Sequence, residues 1–294
     1  MADRLVVAEP GPLLEVLAQH FAQWSRNTLR QRLKMGCIDV NGAPASRHDH
    51  PVQPGDVIEI LAKAGGRGHA RSAARLPILF DDDDLIAIDK PPGLLSVSTD
   101  AERERTALAL TRDAARRPGR PADLWPVHRL DREASGVLLF ARSREVRNRV
   151  QADWANTQKV YLALVEGVPE PADGTIDQPL WEDDGLRVRV GAHPDAKAAR
   201  TRYRTLECGR DASRLEVELD TGRKHQIRAH LAWLGHPIVG DDRYGTSAAR
   251  LCLHAWRLVL RHPADGRELR LEAPIPPALA AWNPCPRGRS HPSP

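Results

Sequence analysis

HRLDREASGVLLF, residues 128–140, changes character at Gly136. Beyond that glycine, Val137 to Ala141 is an unbroken apolar run, which reads as a buried strand. Before it lies a charged loop, with Asp131 between Leu130 and Arg132. A carboxylate just ahead of a buried strand stands at the rim of a sheet, where working side chains are common. A turn or capping aspartate is the competing reading of the same residue.

Outward from this strand, short apolar or alternating runs predict further strands over 78–80, 85–89, 160–165, 186–190, 215–219, 251–260 and 269–271. Helical spacing predicts helices over 106–116, 145–155 and 224–234. Many strands with few long helices between them indicate an α+β domain over 76–276, a mostly antiparallel mixed β-sheet flanked by helices. Residues 13–62 read as a small αβ module. Leu14, Leu17, Ala18 and Phe21 repeat at helical spacing, and SRNTLRQRLKMG begins with Ser25 as N-cap and stops at Gly36. CIDVNG and GDVIEI follow as short strands. KAGGRGHARSAAR, residues 63–75, has the composition of a flexible linker. Clustered prolines after Pro276 predict a disordered tail over 277–294.

Lysine and arginine number 43 against 39 acids, a net charge of +4, so the overall balance decides little. Its distribution says more. Val16 to Ile38 carries Arg26, Arg30, Arg32 and Lys34 and no acid, and Glu102 to Arg120 sets six arginines against three acids. Such patches suit a polyanion, or else form a solvated helix face. Cys37, Cys208, Cys252 and Cys285 lie far apart with no C-x-x-C. That argues against a disulfide framework or a cysteine zinc site and fits a reducing compartment. MADRLVVAEPGP has no signal-peptide core, and apolar runs stay far below the roughly twenty residues that span a bilayer. The expectation is a cytoplasmic monomer with no membrane partner.

Two further stretches carry candidate chemistry. KVYLALVEG, residues 159–167, is apolar on both faces, and Tyr161 needs a partner for its hydroxyl once buried. A core tyrosine bonded to backbone is the alternative. In TGRKHQIRAHLAWLG, residues 221–235, Ile227, Leu231 and Leu234 form a helical stripe that must face the core. Arg228 adjoins that stripe, and a guanidinium at its border needs a carboxylate or phosphate. A surface arginine is the alternative. His225 and His230 fall about 140° apart on a helix, the wrong geometry for a shared metal. No phosphate-binding loop, dinucleotide motif or G-x-S-x-G occurs, so any chemistry must run on side chains alone.

From about Pro77 to Pro276 the chain contains, in order, ILFDDDDLIAIDKPPGLLS, HRLDREASGVLLF, KVYLALVEG, TGRKHQIRAHLAWLGHPIVGDDRYG, LCLHAWRLVLRHP and EAPIP. Together these stretches resemble the RluA family of RNA pseudouridine synthases. SRNTLRQRLKMGCIDVNG followed by PVQPGDVIEI is similar to the S-four-like RNA-binding domain often fused to that family. One position departs from the pattern. Ala134 stands where the family usually has threonine, which removes a hydrogen bond from the loop but leaves the carboxylate untouched.

The resemblance implies an enzyme that detaches a uracil from its ribose and reattaches it through carbon five. No atoms are gained or lost, so no cofactor and no metal is required. It implies Asp131 as the nucleophile. It implies Arg228 as the cation that keeps that carboxylate ionised in a partly dry pocket. Tyr161 would stack on the uracil and move a proton late in the reaction, a task for which an unperturbed phenol needs help from the pocket. A uridine in folded RNA has to be flipped out, at roughly a few kcal/mol. Arg129, with His128 second, is expected to fill the gap or hold the flipped nucleotide. Arg223, Lys224 and the basic Arg26, Arg30 and Lys34 are expected to contact phosphates. Family members with the extra module act mostly on large-subunit ribosomal RNA, with transfer RNA the alternative. An RNA-binding ribosome assembly factor without catalysis is a rival class, but would be expected to have lost Asp131, Tyr161 or Arg228. A glycoside hydrolase is a poorer one. Most such enzymes need two carboxylates at a set distance, and neither Glu133 nor the run Asp81 to Asp84 has a spacing that commits it to Asp131.

Overall fold

The computed structural model describes residues 3–21, 23–34, 37–41, 43–45, 48–60, 76–98, 106–115, 123–248 and 250–280. The chain divides into two compact units, Met1–Ala74 and Arg75–Pro294. The linker expected over 63–75 lies outside the described residues.

In the first unit, β1 (Asp3–Val6), β2 (Gly11–Pro12), α1 (Leu13–His20), α2 (Arg26–Lys34), β3 (Ile38–Val40), β4 (Ala43–Pro44), β5 (Pro51–Val52) and β6 (Val57–Ile60) follow one another. Strands β1, β6, β3 and β4 make an antiparallel sheet, and β2 pairs with β5. Ser25 caps α2 as its sequence predicts, its Oγ accepting from the Thr28 N–H at 3.1 Å. Leu14 and Leu17 of α1 share a core with Leu29 and Leu33 of α2 and with Ile38, Ile58 and Ile60. The module starts earlier than Leu13, because β1 pairs along the whole of β6. Four residues are too few to show a period in the sequence.

The second unit contains β7 (Ile78–Asp81), β8 (Leu85–Lys90), α3 (Ala107–Ala114), β9 (Trp125–Pro126), β10 (Ser135–Ala141), α4 (Arg144–Ala152) and β11 (Gln158–Glu166). After these come β12 (Asp173–Asp177), β13 (Leu180–Glu182), β14 (Val188–Val190), β15 (Arg200–Cys208), β16 (Ala212–Leu219), α5 (Gln226–Trp233), β17 (Leu253–Arg261), β18 (Glu268–Glu272) and α6 (Pro277–Ala280). Ten strands form one mixed sheet in the order β12-β15-β16-β11-β17-β10-β8-β7, with β18 on β17 and β9 on β10. Its pairings are antiparallel except β10 with β17.

Strand β10 is buried along its whole length. Val137, Leu139 and Ala141 pack with Val146 and Val150 of α4, while Leu138 and Phe140 pack with Ala107 of α3. That alternation is why the run is apolar at every position: a central strand has no solvent face. Each large side chain so buried contributes roughly 1.5–3 kcal/mol. On α5, Ile227 and Leu231 enter the core with Leu162 and Val165 of β11, as their spacing predicts.

Two irregularities position the site. Strands β10 and β17 share only two registered pairs, Ser135 with His254 and Gly136 with Ala255. Gly136 has φ +111°, and a Cβ there would lie 2.2 Å from the Ala255 carbonyl oxygen, so only glycine permits this approach. Next to it, β17 bulges. Val160 faces Arg257 and Tyr161 faces Ala255, which leaves Trp256 out of the ladder. The Trp256 carbonyl instead accepts from the Ala273 N–H at 2.9 Å. A bulge of this kind re-aims the neighbouring side chains.

The strand predicted over 186–190 is shorter, Val188–Val190, and is half of a hairpin with β13. Leu186 sits in the turn with φ +59°, its N–H bonded to the Asp183 carbonyl at 2.8 Å. Strands β12 and β15 were not anticipated. In RTRYRTLEC the inward Thr201 and Tyr203 alternate with exposed arginines, so little apolar character marks the strand. The predicted tail also starts with order. Leu279 of α6 is buried, and its carbonyl accepts from Arg214 Nη1 at 3.0 Å. Residues 281–294 lie outside the described residues. Among the described residues no helix is long and apolar enough to cross a membrane.

Candidate active site

The loop carrying Asp131 is pinned on both sides by the segment after β8. Ser96 Oγ accepts from the Leu130 N–H at 3.0 Å and donates to the Leu130 carbonyl at 2.7 Å. The Gly93 N–H donates to the Arg132 carbonyl at 2.8 Å. Lys90 is fully buried, and its Nζ donates to the carbonyls of Pro91, Leu94 and Arg132 at 3.0, 2.8 and 3.1 Å. Burial pushes the Lys90 ammonium down to about 8, against the charges of Glu133, Asp131 and Asp89. A buried lysine that spends all three protons on carbonyls is a strut. It gives the sequence KPPGLLS a physical purpose, which is to hold Asp131 still.

Arg228 comes to Asp131 from α5, 97 positions away in the chain. Its Nη1 lies 3.4 Å from Asp131 Oδ2. Its principal partner is a different acid. Nε and Nη2 donate to Oδ2 and Oδ1 of Asp241 at 2.8 and 2.7 Å, and both residues are buried. Asp241 Oδ1 also accepts from the N–H groups of Arg243 and Tyr244 at 3.0 and 3.1 Å. Burial would lower the Arg228 guanidinium, but the bonds and charge of Asp241, and then of Asp131, hold it well above its ordinary range. Burial likewise acts to raise Asp241, and Arg228 outweighs it and holds the carboxyl low. The fork is therefore locked at one end and presents one nitrogen to Asp131. Gly240 makes this possible. A Cβ there would meet the Arg250 carbonyl oxygen at 1.9 Å. Sequence reasoning assigned the arginine a carboxylate but missed Asp241. The available signal was that a buried guanidinium has five donors, more than one half-exposed aspartate can satisfy.

A cavity of about 380 Å³ opens beside Asp131 and is lined by His128, Arg129, Tyr161, Arg223, Lys224 and Arg228. A second, of about 350 Å³, meets it at Asp131 and reaches Ser96, Ser98, Arg132 and Arg243. Every candidate catalytic or RNA-binding residue of this unit thus lines one cavity, but not all are free to act there. Tyr161 is half-buried. Burial, and then the charge of Asp131, pushes its phenol well above the usual range. The pocket therefore works against Tyr161 as a base and keeps its hydroxyl protonated. His128 does not suit the gap-filling role. Its Nε2 accepts from the Leu139 N–H at 3.1 Å, its ring packs 5.1 Å from Trp154, and burial, with the charge of Lys159, lowers it to about 4. The imidazole is taken up in satisfying a strand N–H.

Arg129 is exposed and lines both cavities. Lys224 pairs with Glu182, and Arg223 Nε donates to the Ala198 carbonyl at 3.1 Å. Arg26 and Arg30 stand exposed on α2 of the first unit, Arg26 paired with Glu15 at 2.7 Å. The Lys34 side chain lies outside the described residues. Ala134 is buried in the cavity wall and presents an apolar methyl there. Tyr244, also missed, stacks its ring 5.5 Å from the Arg228 guanidinium. His230 is spent on Thr201 Oγ1 at 2.8 Å and the Gln178 carbonyl at 3.0 Å.

Comparison with known proteins identifies the family. Residues 84–233 match the family model for RNA pseudouridylate synthase. The chain is 35% identical to ribosomal large subunit pseudouridine synthase D of Nitrosomonas europaea, over 91% of this chain and 82% of that protein. It is 37% identical to an uncharacterized RNA pseudouridine synthase of Chloroflexus aurantiacus, over 94% of this chain and 92% of that one. Among solved structures, human RNA pseudouridylate synthase domain containing 4 superposes with a TM-score of 0.60 at 27% identity, covering 71% of this chain and 92% of that chain. The chain belongs to the RNA pseudouridylate synthase family, in its RluA branch, and is an RNA pseudouridine synthase.

Proposed function

We propose that this enzyme acts on large-subunit ribosomal RNA, that the target uridine is extruded into the cavity at Asp131, and that Asp131 is the nucleophile. The reaction breaks the bond from C1′ to N1 and forms one from C1′ to C5. C5 gives up a proton and N1 gains one, so the balance needs no external reactant. Asp131 meets the nucleotide while Arg228, anchored on Asp241, supplies a fixed positive charge beside it. Tyr161 gives the uracil a flat surface, and its hydroxyl, held protonated, is a donor. Arg129, exposed and lining both cavities, is the residue we assign to the space a flipped base leaves. The relatives named for the ribosomal large subunit support the choice of RNA.

The observation that carries this reading is the meeting of Asp131, Tyr161 and an already anchored Arg228 on one cavity. Mapping pseudouridines in RNA from cells with and without the protein tests the substrate. Loss of defined large-subunit sites is expected, and an unchanged map overturns it. Asp131→Asn tests the nucleophile and is expected to abolish turnover while RNA binding persists.

A further inference from the structure

His225 has no part in the scheme so far, yet it is held in a strained backbone conformation. Its φ is +50° and ψ +22°, the left-handed region, where a residue other than glycine persists only if its surroundings enforce it. It precedes α5 without a capping bond from its side chain, so the capping role does not account for it. The ring lines both cavities. Its Nδ1 lies 3.1 Å from the Tyr244 hydroxyl. That hydroxyl accepts from the Val188 N–H at 3.1 Å, and its own proton can be donated to Nδ1. With Nδ1 accepting, the neutral ring carries its own proton on Nε2. Nε2 lies 3.9 Å from Asp131 Oδ2, the oxygen that also faces Arg228 Nη1. Among the described residues no hydrogen bond reaches Oδ1. Burial, aided by the charges of Arg228, Arg243 and Lys224 and opposed by Asp131, lowers the imidazole and keeps it neutral.

We propose that His225 is a positioning residue: its Nε2–H, set by Tyr244, shares Asp131 Oδ2 with Arg228 and leaves Oδ1 as the reacting oxygen. This rests on Asp131 being the nucleophile. Arg228 makes a long bond at 3.4 Å and His225 Nε2, at 3.9 Å, stands beyond bonding distance, as catalytic donors commonly do before substrate is bound.

Two variants separate this role from a structural one. His225→Gln keeps a donor near the place of Nε2. His225→Asn suits the left-handed backbone better and keeps a polar group near Nδ1, but has nothing to offer Asp131. Single-turnover rates at varied enzyme excess, on total RNA from cells lacking the protein, give the maximal rate and half-saturation separately. The Asn variant is expected to be roughly 10- to 100-fold slower and the Gln variant within roughly threefold of the parent, both with unchanged half-saturation. An Asn variant as fast as the Gln variant overturns the proposal. Nitrogen chemical shifts of labelled imidazole read the tautomer directly, and an Nδ1–H form overturns it as well. Asp131→Asn is measured alongside. If it stays active, the nucleophile reading and this proposal fall together. If it is dead while Asn equals Gln at position 225, this proposal falls alone.

Discussion

Arg228 divides one guanidinium unequally among three acids, with exposed Asp242 the most distant at 3.5 Å. Asp241 takes the bidentate edge and Asp131 the remaining nitrogen. Asp241→Asn is therefore expected to reduce turnover although Asp241 is fully buried and lines neither cavity. It leaves a buried cation without its principal counter-charge, so stability should fall by about 3 kcal/mol, read from urea denaturation. Arg228→Lys is not a mild change, since one ammonium cannot span Asp241 and Asp131, and a drop in rate of at least roughly tenfold is expected in single-turnover assays. The tyrosines make a second expectation. Burial raises Tyr161, Tyr203 and Tyr244, the chain's three tyrosines, each above the ordinary 10.0. Native protein at pH 10 should show less phenolate absorbance than the unfolded chain, and unfolding at that pH should raise it. Prompt ionisation of the native protein would contradict the burial of Tyr161.

At the scale of elements, the site depends on the contact between β10 and β17. Gly136→Ala places a methyl on the Ala255 carbonyl and is expected to cost more than about 2 kcal/mol in denaturant titration. Gly222→Ala, where a Cβ meets nothing within 4 Å, is the control and should be near neutral in stability. The apolar run of β10 and the stripe of α5 were legible because each is a periodic property of neighbouring residues. The bulge at Trp256 was not. It arises because β17 pairs with β11, β10 and β18 at once, and no single strand encodes that conflict.

At the scale of the molecule, acid should loosen the second unit. Burial pushes His254, which lies beneath the loop against Ser135 Oγ at 2.9 Å, from 6.5 down to about 4. A folded form with the lower value binds fewer protons than the unfolded chain between those limits. The contribution is thus complete above about pH 6.5 and is lost as pH falls through 4. It is on the order of 3 kcal/mol. Denaturation midpoints at pH 7 and 4.5 should differ clearly in the parent and less in His254→Gln. Each of the two units has its own buried core.

Local chemistry in the chain was enough to establish an α+β sheet protein with Asp131 at a strand's rim, Tyr161 on a buried strand and Arg228 beside a buried stripe. Such readings succeed because periodicity, glycine placement and the needs of a lone charge are set by residues close together in sequence. The folded molecule settled the rest: that Asp241 anchors Arg228, that Lys90 braces the loop, that His128 serves a strand N–H, and that Tyr161 is pushed away from acting as a base. Those outcomes turn on burial and on charges brought together from distant segments, as Arg228 and Asp131 are across 97 positions. The energy of a polar group depends on what surrounds it in space, and only packing brings those surroundings into being.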